Sequence, residues 1–313
     1  MQAVVLTDGE LEWRTCPDPV PGDTELLVSV RAAGINNADL LQRRGHYPAP
    51  PGSPPDIPGL ELAGEVVSVG RQVTRFSVRD RVMAVVGGGG QAALATVDET
   101  HALPVPAELS WPEAGGFPEV FSTAWDALGS QARLAAGERL LVSGAAGGVG
   151  TAAVQLASAS GAVVVASVRD PSRRAAVAEL GAHSVVDPSE VPDHGPYDAI
   201  LELVGAPSLA ASLGSLAVGG RVVVIGVGAG PRLELDLLSL MAKRAWIGSS
   251  TLRARDRVGK AIVAGEVASH VLPLLSSGAV RVPVCDTFSM SEAPSAYERF
   301  GAGSKLGKVV LVA

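Results

Sequence analysis

The stretch "LLVSGAAGGVGTAAVQLA", Leu140 to Ala157, constrains this chain more than any other. A short run of large apolar residues suits a buried strand, the glycines suit a tight turn, and the Ala-rich sequel suits a helix start. Ala145, Gly147 and Gly150 fall on the three glycine positions of a G-x-G-x-x-G turn, with Ala in the first. Such a turn keeps side chains away from a pyrophosphate, so that backbone N–H groups and the helix N-terminus meet its charge. The same glycines would also serve plain packing of helix on strand. Context favours the dinucleotide: a strand precedes the turn, a helix follows, and a second strand, "AVVVASV", comes about 20 residues on. The motif lies almost midway along 313 residues, a length at which two domains are the default.

From Glu138 onward apolar strands alternate with helical segments: "ERLLVSG", the helix from Gly148 to Ser160, "AVVVASV", helical "PSRRAAVAELGA", "YDAILELVG", helical "SLAASLGSLAVGG", and "RVVVIGV". Near-continuous apolar strands of this kind imply a parallel sheet covered on both faces, a doubly wound α/β domain. The residues before it differ. "QAVVLT", "LLVSVRAAG", "LAGEVVSVG", "DRVMAVV" and "AALATVDE" are short, Val-rich and punctuated by turns, as in an antiparallel barrel. Beyond "AWIGSST" a long helix, Arg257 to Ser276, is expected, and the terminal "GKVVLVA" is a strand isolated from the parallel series. The tail therefore returns to the first domain. The expected division is 1–118, 119–250 and 251–313, the last part rejoining the first. The apolar "KRAWIGSST", where the parallel sheet ends, exposes an edge that invites pairing with a second copy, hence a homodimer.

The end of the second strand of the dinucleotide unit selects the cofactor. An acid there would bond the ribose 2′-hydroxyl of NAD, whereas a neutral residue followed by Arg suits the 2′-phosphate of NADP. The sequence reads "ASVRDPSRR": Val168 stands where the acid would be, with Arg169, Arg173 and Arg174 behind it. Asp170 immediately precedes Pro171, a good pairing for a helix N-cap, so its carboxylate is expected on helix N–H groups. NADPH is the favoured cofactor.

Composition narrows the class further. A net charge of −7 argues against a general nucleic-acid binder. The apolar runs are too short to span a bilayer, and "MQAVVLTDGELEW" lacks the pattern of a secretion signal, so a cytoplasmic location is expected. Two cysteines, Cys16 and Cys285, make neither a disulfide framework nor a Cys-x-x-Cys metal site, and the five histidines show no ligand spacing.

"AAGINNADLLQRRGHY", "PGLELAGEVVSVG", "DRVMAV", "GAAGGVGTAAVQLA" and "GKVVL" occur in an order that resembles the medium-chain dehydrogenase/reductase superfamily. Within it the chain is similar to the zinc-free quinone oxidoreductases related to zeta-crystallin. "NNADLLQRRGHYPAPPG", "GGGGQAALATV" and "SSTLRARD" look most like the tumour-suppressor-inducible branch. The resemblance implies a GroES-like catalytic domain completed by the tail, a Rossmann domain, and an active cleft between them. Zinc-dependent relatives have a Cys where this chain has Asn36 and a Gly-His-Glu where it reads Gly59, Leu60, Glu61, so a metal-free site is expected.

By the same resemblance Asn36 and Tyr47 would lie near the nicotinamide or acceptor, Asn36 donating to an acceptor oxygen and Tyr47 stacking or donating. A turn role for Asn36 and a covering role for Tyr47 are the alternatives. Asp39 and Arg43 follow the pattern too, or simply pair at i and i+4. Thr123 would approach the nicotinamide unless it caps a helix. Gly147, Gly148 and Val149 would meet the pyrophosphate, Ser167, Arg169 and Arg173 the 2′-phosphate side, and Gly226 and Val227 the nicotinamide ribose. Pro188 replaces an adenine-side Tyr of several relatives, and the segment Ser189 to Pro196 is short. Loss of zinc fits an acceptor that disperses charge itself, a quinone, whereas an ordinary ketone needs a Lewis acid or proton donor. Reduction of an activated C=C bond in an enone or enoyl thioester is the alternative reaction, and a non-catalytic NADPH-binding protein the alternative class.

Overall fold

Alternating burial along short strands builds the first part of the molecule. In Glu25–Gly34 Leu26, Val28 and Val30 point inward while Arg31 reaches solvent to pair with Glu65. The computed structural model describes residues 1–313. It divides into two units: unit 1 is residues 1–122 with 252–313, and unit 2 is residues 123–251. Strands β1 (Gln2–Thr7), β2 (Glu10–Thr15), β3 (Glu25–Gly34), β4 (Glu61–Val69), β5 (Arg81–Val85), β6 (Leu94–Asp98) and β7 (Ala102–Pro104) lie in unit 1. Unit 2 holds β8 (Arg139–Val142), β9 (Val163–Ser167), β10 (Ser184–Val186), β11 (Tyr197–Glu202), β12 (Leu216–Val224) and β13 (Trp246–Ser249). The tail adds β14 (Val284–Ser289) and β15 (Lys308–Val312) to unit 1.

Unit 1 is mostly β. Its larger sheet runs β14-β15-β3-β4-β5-β7, with β6 also pairing with β3, and β1 and β2 form a separate hairpin. The tail closes the sheet: β15 runs antiparallel to β3, with Val310 opposite Gly34. Leu26, Val28, Val30, Leu62, Val66, Val82, Val309 and Leu311 share one core with Tyr297 of the helix Ala293–Gly301. The expected long helix is two, Arg257–His270 and Leu272–Ser276. Pro273 has no N–H to continue the first helix, and the break falls at Val271. By length and composition alone the whole run could cross a membrane. In the structure, however, Val263, Val267, Val271, Leu272 and Leu275 are buried within the protein.

Unit 2 is a parallel sheet in the order β10-β9-β8-β11-β12-β13. Leu140, Leu141 and Val142 are fully buried, as are Val164 and Val165, because helices cover both faces. From β8 the chain builds outward through β9 to β10 and then crosses back to β11 on the other side of β8, so the strand order reverses there. The carboxyl ends of β8 and β11 therefore flank the crevice where doubly wound sheets bind ligands. One expected boundary moves. The helix read as "SLAASLGSLAVGG" ends at Leu213, and β12 already begins at Leu216. Its pairing with β11 jumps from Tyr197 opposite Leu216 to Ala199 opposite Arg221, a shift that Gly219, at φ 80°, permits.

β13 is the outer strand of this sheet. Beside it in the chain the helix Leu237–Lys243 buries none of its residues, and Leu237, Leu238, Met241 and Trp246 are all exposed. An unpaired edge beside exposed apolar side chains predicts a homodimer joined here. Sedimentation should give twice the 31.7 kDa chain mass for the wild type and the monomer for Leu238→Lys/Met241→Lys. A wild type that sediments as a monomer at micromolar concentration contradicts this.

Candidate active site

The unit 1 cluster starts where β3 ends. Gly34 leaves the space that the Glu61 carboxylate fills: a Cβ there would lie 2.2 Å from Glu61 Oε1. Two residues on, Asn36 caps the helix Asn37–Arg43 and is nearly buried, at 8% exposure. Asn36 Oδ1 accepts from Lys308 Nζ at 2.7 Å, and Nδ2 donates to Glu61 Oε1 at 2.9 Å and, weakly, to Gly34 O at 3.4 Å. An ammonium group only donates and a carboxylate only accepts, so the amide orientation is fixed chemically. Lys308 completes its three bonds on Ile35 O at 3.0 Å and Glu61 Oε1 at 2.6 Å. Glu61 Oε2 accepts the backbone N–H of Glu119 at 2.8 Å. Two full charges thus sit inside the protein with every polar atom engaged, the condition under which a buried ion pair is tolerated.

Asp39 is fully buried and accepts the N–H groups of Asn36 at 2.8 Å and Gly59 at 3.1 Å. Burial pushes its carboxyl up to about 7, opposed by those two N–H groups and by the nearby Lys308 and Arg253 cations. The i,i+4 pair with Arg43 does not form. Asp39 turns inward to the helix start, and Arg43 instead reaches Gly9 O at 2.6 Å and Glu10 at 3.6 Å. Tyr47 follows this helix, half-buried, with its ring under the Arg253 guanidinium at 5.1 Å. Sequence reasoning missed Lys308 and Arg253. A lone charge opening the apolar "KVVLV" was a usable signal for Lys308; "LRARD" offered none for Arg253.

These residues do not make a zinc site. No thiolate or imidazole is in the cluster, Leu60 is an apolar core residue at 1% exposure, and Glu61 is already held by an ammonium cation. No three His, Cys, Asp or Glu side chains anywhere in the chain are grouped to hold a metal ion.

In unit 2, Gly147 is the N-cap of the helix Gly148–Ala159. The glycines of the turn differ in what they are for. A Cβ on Gly150 would strike Ala145 Cα and Gly144 O, both at 2.6 Å, so this glycine serves helix-on-strand packing. A Cβ on Gly147 would meet nothing closer than Gly144 O at 3.5 Å. Its missing side chain leaves a cradle into which the first helical N–H groups, at Gly148, Val149 and Gly150, have no intrahelical partner to give. A dinucleotide pyrophosphate fits that cradle. Ser167 is buried and its carbonyl accepts Ala145 N–H at 3.2 Å, tying the turn to the end of β9.

Behind β9, Asp170 does cap: its Oδ1 accepts Ser172 N–H at 3.0 Å, at the start of a 3₁₀ turn Pro171–Arg173 that precedes the helix Arg174–Ala178. Arg174 is committed to Asp187 at 2.7 Å and Val168 O at 3.1 Å. Arg169 is exposed, and Arg173 lies 3.8 Å from Asp170. Thr123 is buried inside the helix Pro118–Trp125, so it does not cap one. Gly226 is required by the fold, since a Cβ would lie 2.2 Å from Leu203 O, and Val227 beside it is 45% exposed. Sequence reasoning missed Glu202. It ends β11 fully buried, and its Oε1 accepts Val204 N–H at 2.6 Å and Gly205 N–H at 2.7 Å, shaping the turn at the crevice.

Two measurements test the unit 1 cluster. Lys308→Met leaves the Glu61 charge buried and alone, and should cost about 3–5 kcal/mol of unfolding free energy by denaturant titration. Glu61→Gln/Lys308→Met removes both charges and should recover part of that loss. Asp39 gives a pH signature. The folded group keeps its proton up to about pH 7 and an unfolded aspartate loses it near 4, so the native state binds more protons between these values. The stability of the wild type relative to Asp39→Asn should therefore fall as pH rises from about 4 to about 7, by at least about 1 kcal/mol, and level off above. A pH-independent difference contradicts this burial account.

Comparison with known proteins agrees with both units. Residues 22–107 match the alcohol dehydrogenase GroES-like domain and residues 148–264 the zinc-binding dehydrogenase domain. The quinone oxidoreductase of Mus musculus is 33% identical, over 94% of this chain and 91% of the mouse protein. The acryloyl-coenzyme A reductase of Metallosphaera sedula is 30% identical over 99% of both chains. The chain also matches a mycocerosic acid synthase-like polyketide synthase of Mycobacterium tuberculosis at 31% identity, spanning only 15% of that protein's length. A mycobacterial protein solved as an NADPH complex superposes with a TM-score of 0.88 over 100% of each chain, at 27% identity. This chain belongs to the medium-chain dehydrogenase/reductase superfamily, as an oxidoreductase with a GroES-like unit drawn from both ends of the sequence and a Rossmann dinucleotide-binding unit drawn from its middle.

Proposed function

We propose that this protein reduces quinones with NADPH at an acceptor site that uses no metal. One observation carries the reading: Lys308 Nζ occupies Asn36 and Glu61 together, at 2.7 and 2.6 Å, in a cluster that holds no metal-ligand set. A quinone disperses incoming charge over its own π-system, so it needs orientation more than a Lewis acid. The nicotinamide of NADPH supplies the hydride. Gly147, Gly148 and Val149 would hold the pyrophosphate through backbone N–H groups, and Ser167, Arg169 and Arg173 would face the 2′-phosphate, Arg174 being engaged elsewhere. Thr123, Gly226 and Val227 would border the nicotinamide ribose.

On the acceptor side Tyr47 stacks on the quinone. Asn36 has one well-made amide bond to Glu61 and one long bond to Gly34, and the second N–H is the one able to turn to an acceptor oxygen. Hydride transfer leaves a hydroquinone monoanion, which takes its one remaining proton from water, so no side chain here has to act as an acid. The reading places the protein in the cytoplasm as a homodimer, with no nucleic-acid or membrane partner.

A second reading, reduction of a C=C bond conjugated to a thioester, is favoured by the acryloyl-coenzyme A reductase relative, which matches over its whole length. The deciding experiment is a panel of ortho-quinones, enones and enoyl thioesters assayed with NADPH and with NADH. Quinone turnover with NADPH supports the first reading, thioester turnover alone supports the second, and no turnover with any acceptor leaves a dinucleotide-binding protein without catalysis. Arg173→Ala should weaken NADPH by roughly 10- to 100-fold and leave NADH unchanged, since a charge-assisted hydrogen bond is worth about 1.5–3 kcal/mol. Equal losses for both cofactors would contradict the assignment of Arg173.

A further inference from the structure

Arg253 is the one arginine in the buried core, at 2% exposure, and it follows directly on Leu252, where the chain re-enters unit 1. Its guanidinium divides among three separate segments. Nε donates to Gly87 O at 2.9 Å, Nη1 to Tyr47 O at 2.8 Å and Nη2 to Gln42 Oε1 at 2.6 Å. The same group lies over the Tyr47 ring, 5.1 Å from its centroid. All three acceptors are neutral, so the charge is buried without a contacting carboxylate, an arrangement costly enough that space-filling alone does not account for it. A planar fork of five N–H donors is what three acceptors in three directions require, and lysine cannot supply it.

From Tyr47 to Pro58 the chain contains six prolines and forms no helix or strand, so no ladder of its own holds the loop. The far end of this proline loop is held by backbone bonds, Leu6 N–H to Asp56 O at 2.7 Å and Gly89 N–H to Ile57 O at 2.8 Å, and Arg253 acts at its Tyr47 end. Gly87 begins the "GGGG" run, and a Cβ on it would lie 2.1 Å from Ser53 Oγ, so the two loops lie directly against each other. Gln42, the third partner, also donates to Pro55 O at 3.2 Å, inside the proline loop. The Arg253 guanidinium is thus the point at which the helix Asn37–Arg43, the Tyr47 loop and the glycine loop are tied together.

We propose that Arg253 is the positioning residue of the acceptor site: its guanidinium fixes the Tyr47 ring and the two loops beside it, and so sets how the acceptor is received. This inference rests on the proposed contact between Tyr47 and a quinone. Arg253 itself touches neither substrate nor cofactor in this account.

The test pairs a spectroscopic with a kinetic readout on the full chain. The sequence has three tyrosines, so ring-labelled protein gives few signals, and the one lost in Tyr47→Phe identifies Tyr47. In Arg253→Met that signal should shift or broaden while that of Tyr197, in unit 2, stays in place. The KM for an ortho-quinone should rise by about tenfold or more, as misplacement of a binding group does, with the KM for NADPH held within about twofold. Arg253→Met/Tyr47→Ala should lose no more than Tyr47→Ala alone, because one residue acts through the other. If Arg253→Met fails to fold, Arg253→Lys, which keeps the charge without the fork, carries both readouts. An unmoved Tyr47 signal, or losses that add in the double variant, overturns the positioning role. A wild type that ignores quinones while its Tyr47 signal still depends on Arg253 overturns the quinone reading instead, and leaves the ring-positioning contact standing.

Discussion

The contact between Lys308 and Glu61 is the one on which the rest of unit 1 depends. The two residues are 247 positions apart, and both are essentially out of water. Their bond joins the last strand of the chain to the start of β4. Through Asn36, Ile35 and the Glu119 N–H it also reaches the end of β3 and the helix Pro118–Trp125. An ion pair so deep is affordable only when each remaining lone pair and proton is matched, and here they are matched by backbone as much as by side chains. That condition explains why Gly34 has no side chain, since any Cβ would displace the carboxylate. It also explains why the tail rejoins the first half of the sequence. Without β15 the Glu61 charge would have no cation.

The ammonium group bears on chemistry as well as on folding. It sits on the Asn36 amide and on the Glu61 carboxylate that follows Leu60, and under the proposed function these residues orient the acceptor. Around them the polar groups continue inward. Asp39 caps its helix from a wholly buried site, Tyr297 donates to the buried Gln91 at 2.9 Å, and Arg253 ties the loops above. A buried network of this kind has few alternative arrangements. In unit 2 the division of labour falls to glycines. Gly150 and Gly226 serve close backbone approach, and Gly147 leaves the cradle clear.

Much of this was legible in the sequence, for identifiable reasons. The turn at Ala145, Gly147 and Gly150 is local and sits between a strand and a helix of opposite periodicity, so both its geometry and its neighbours could be read. Asp170 before Pro171 predicted a cap and formed one. The short Val-rich segments predicted a β unit, and "GKVVLVA" a returning strand. The failures were of two kinds. Helix ends near Leu213 and Val271 were blurred because apolar runs of a few residues suit helix and strand alike, and a register shift or a proline decided the outcome. Lys308, Arg253 and Glu202 were missed because their roles lie in what they touch. Lys308 acts on a residue 247 positions away and Arg253 on one 206 positions away, which no local pattern encodes.

Under the proposed function an internal ammonium group, and no metal ion, organises the acceptor side of this oxidoreductase. The most direct measurement is the metal content of the purified protein together with its rate of ortho-quinone reduction before and after exhaustive chelation. The account predicts substoichiometric zinc and an unchanged rate. One zinc per chain, with activity lost on its removal and regained on its return, would contradict it.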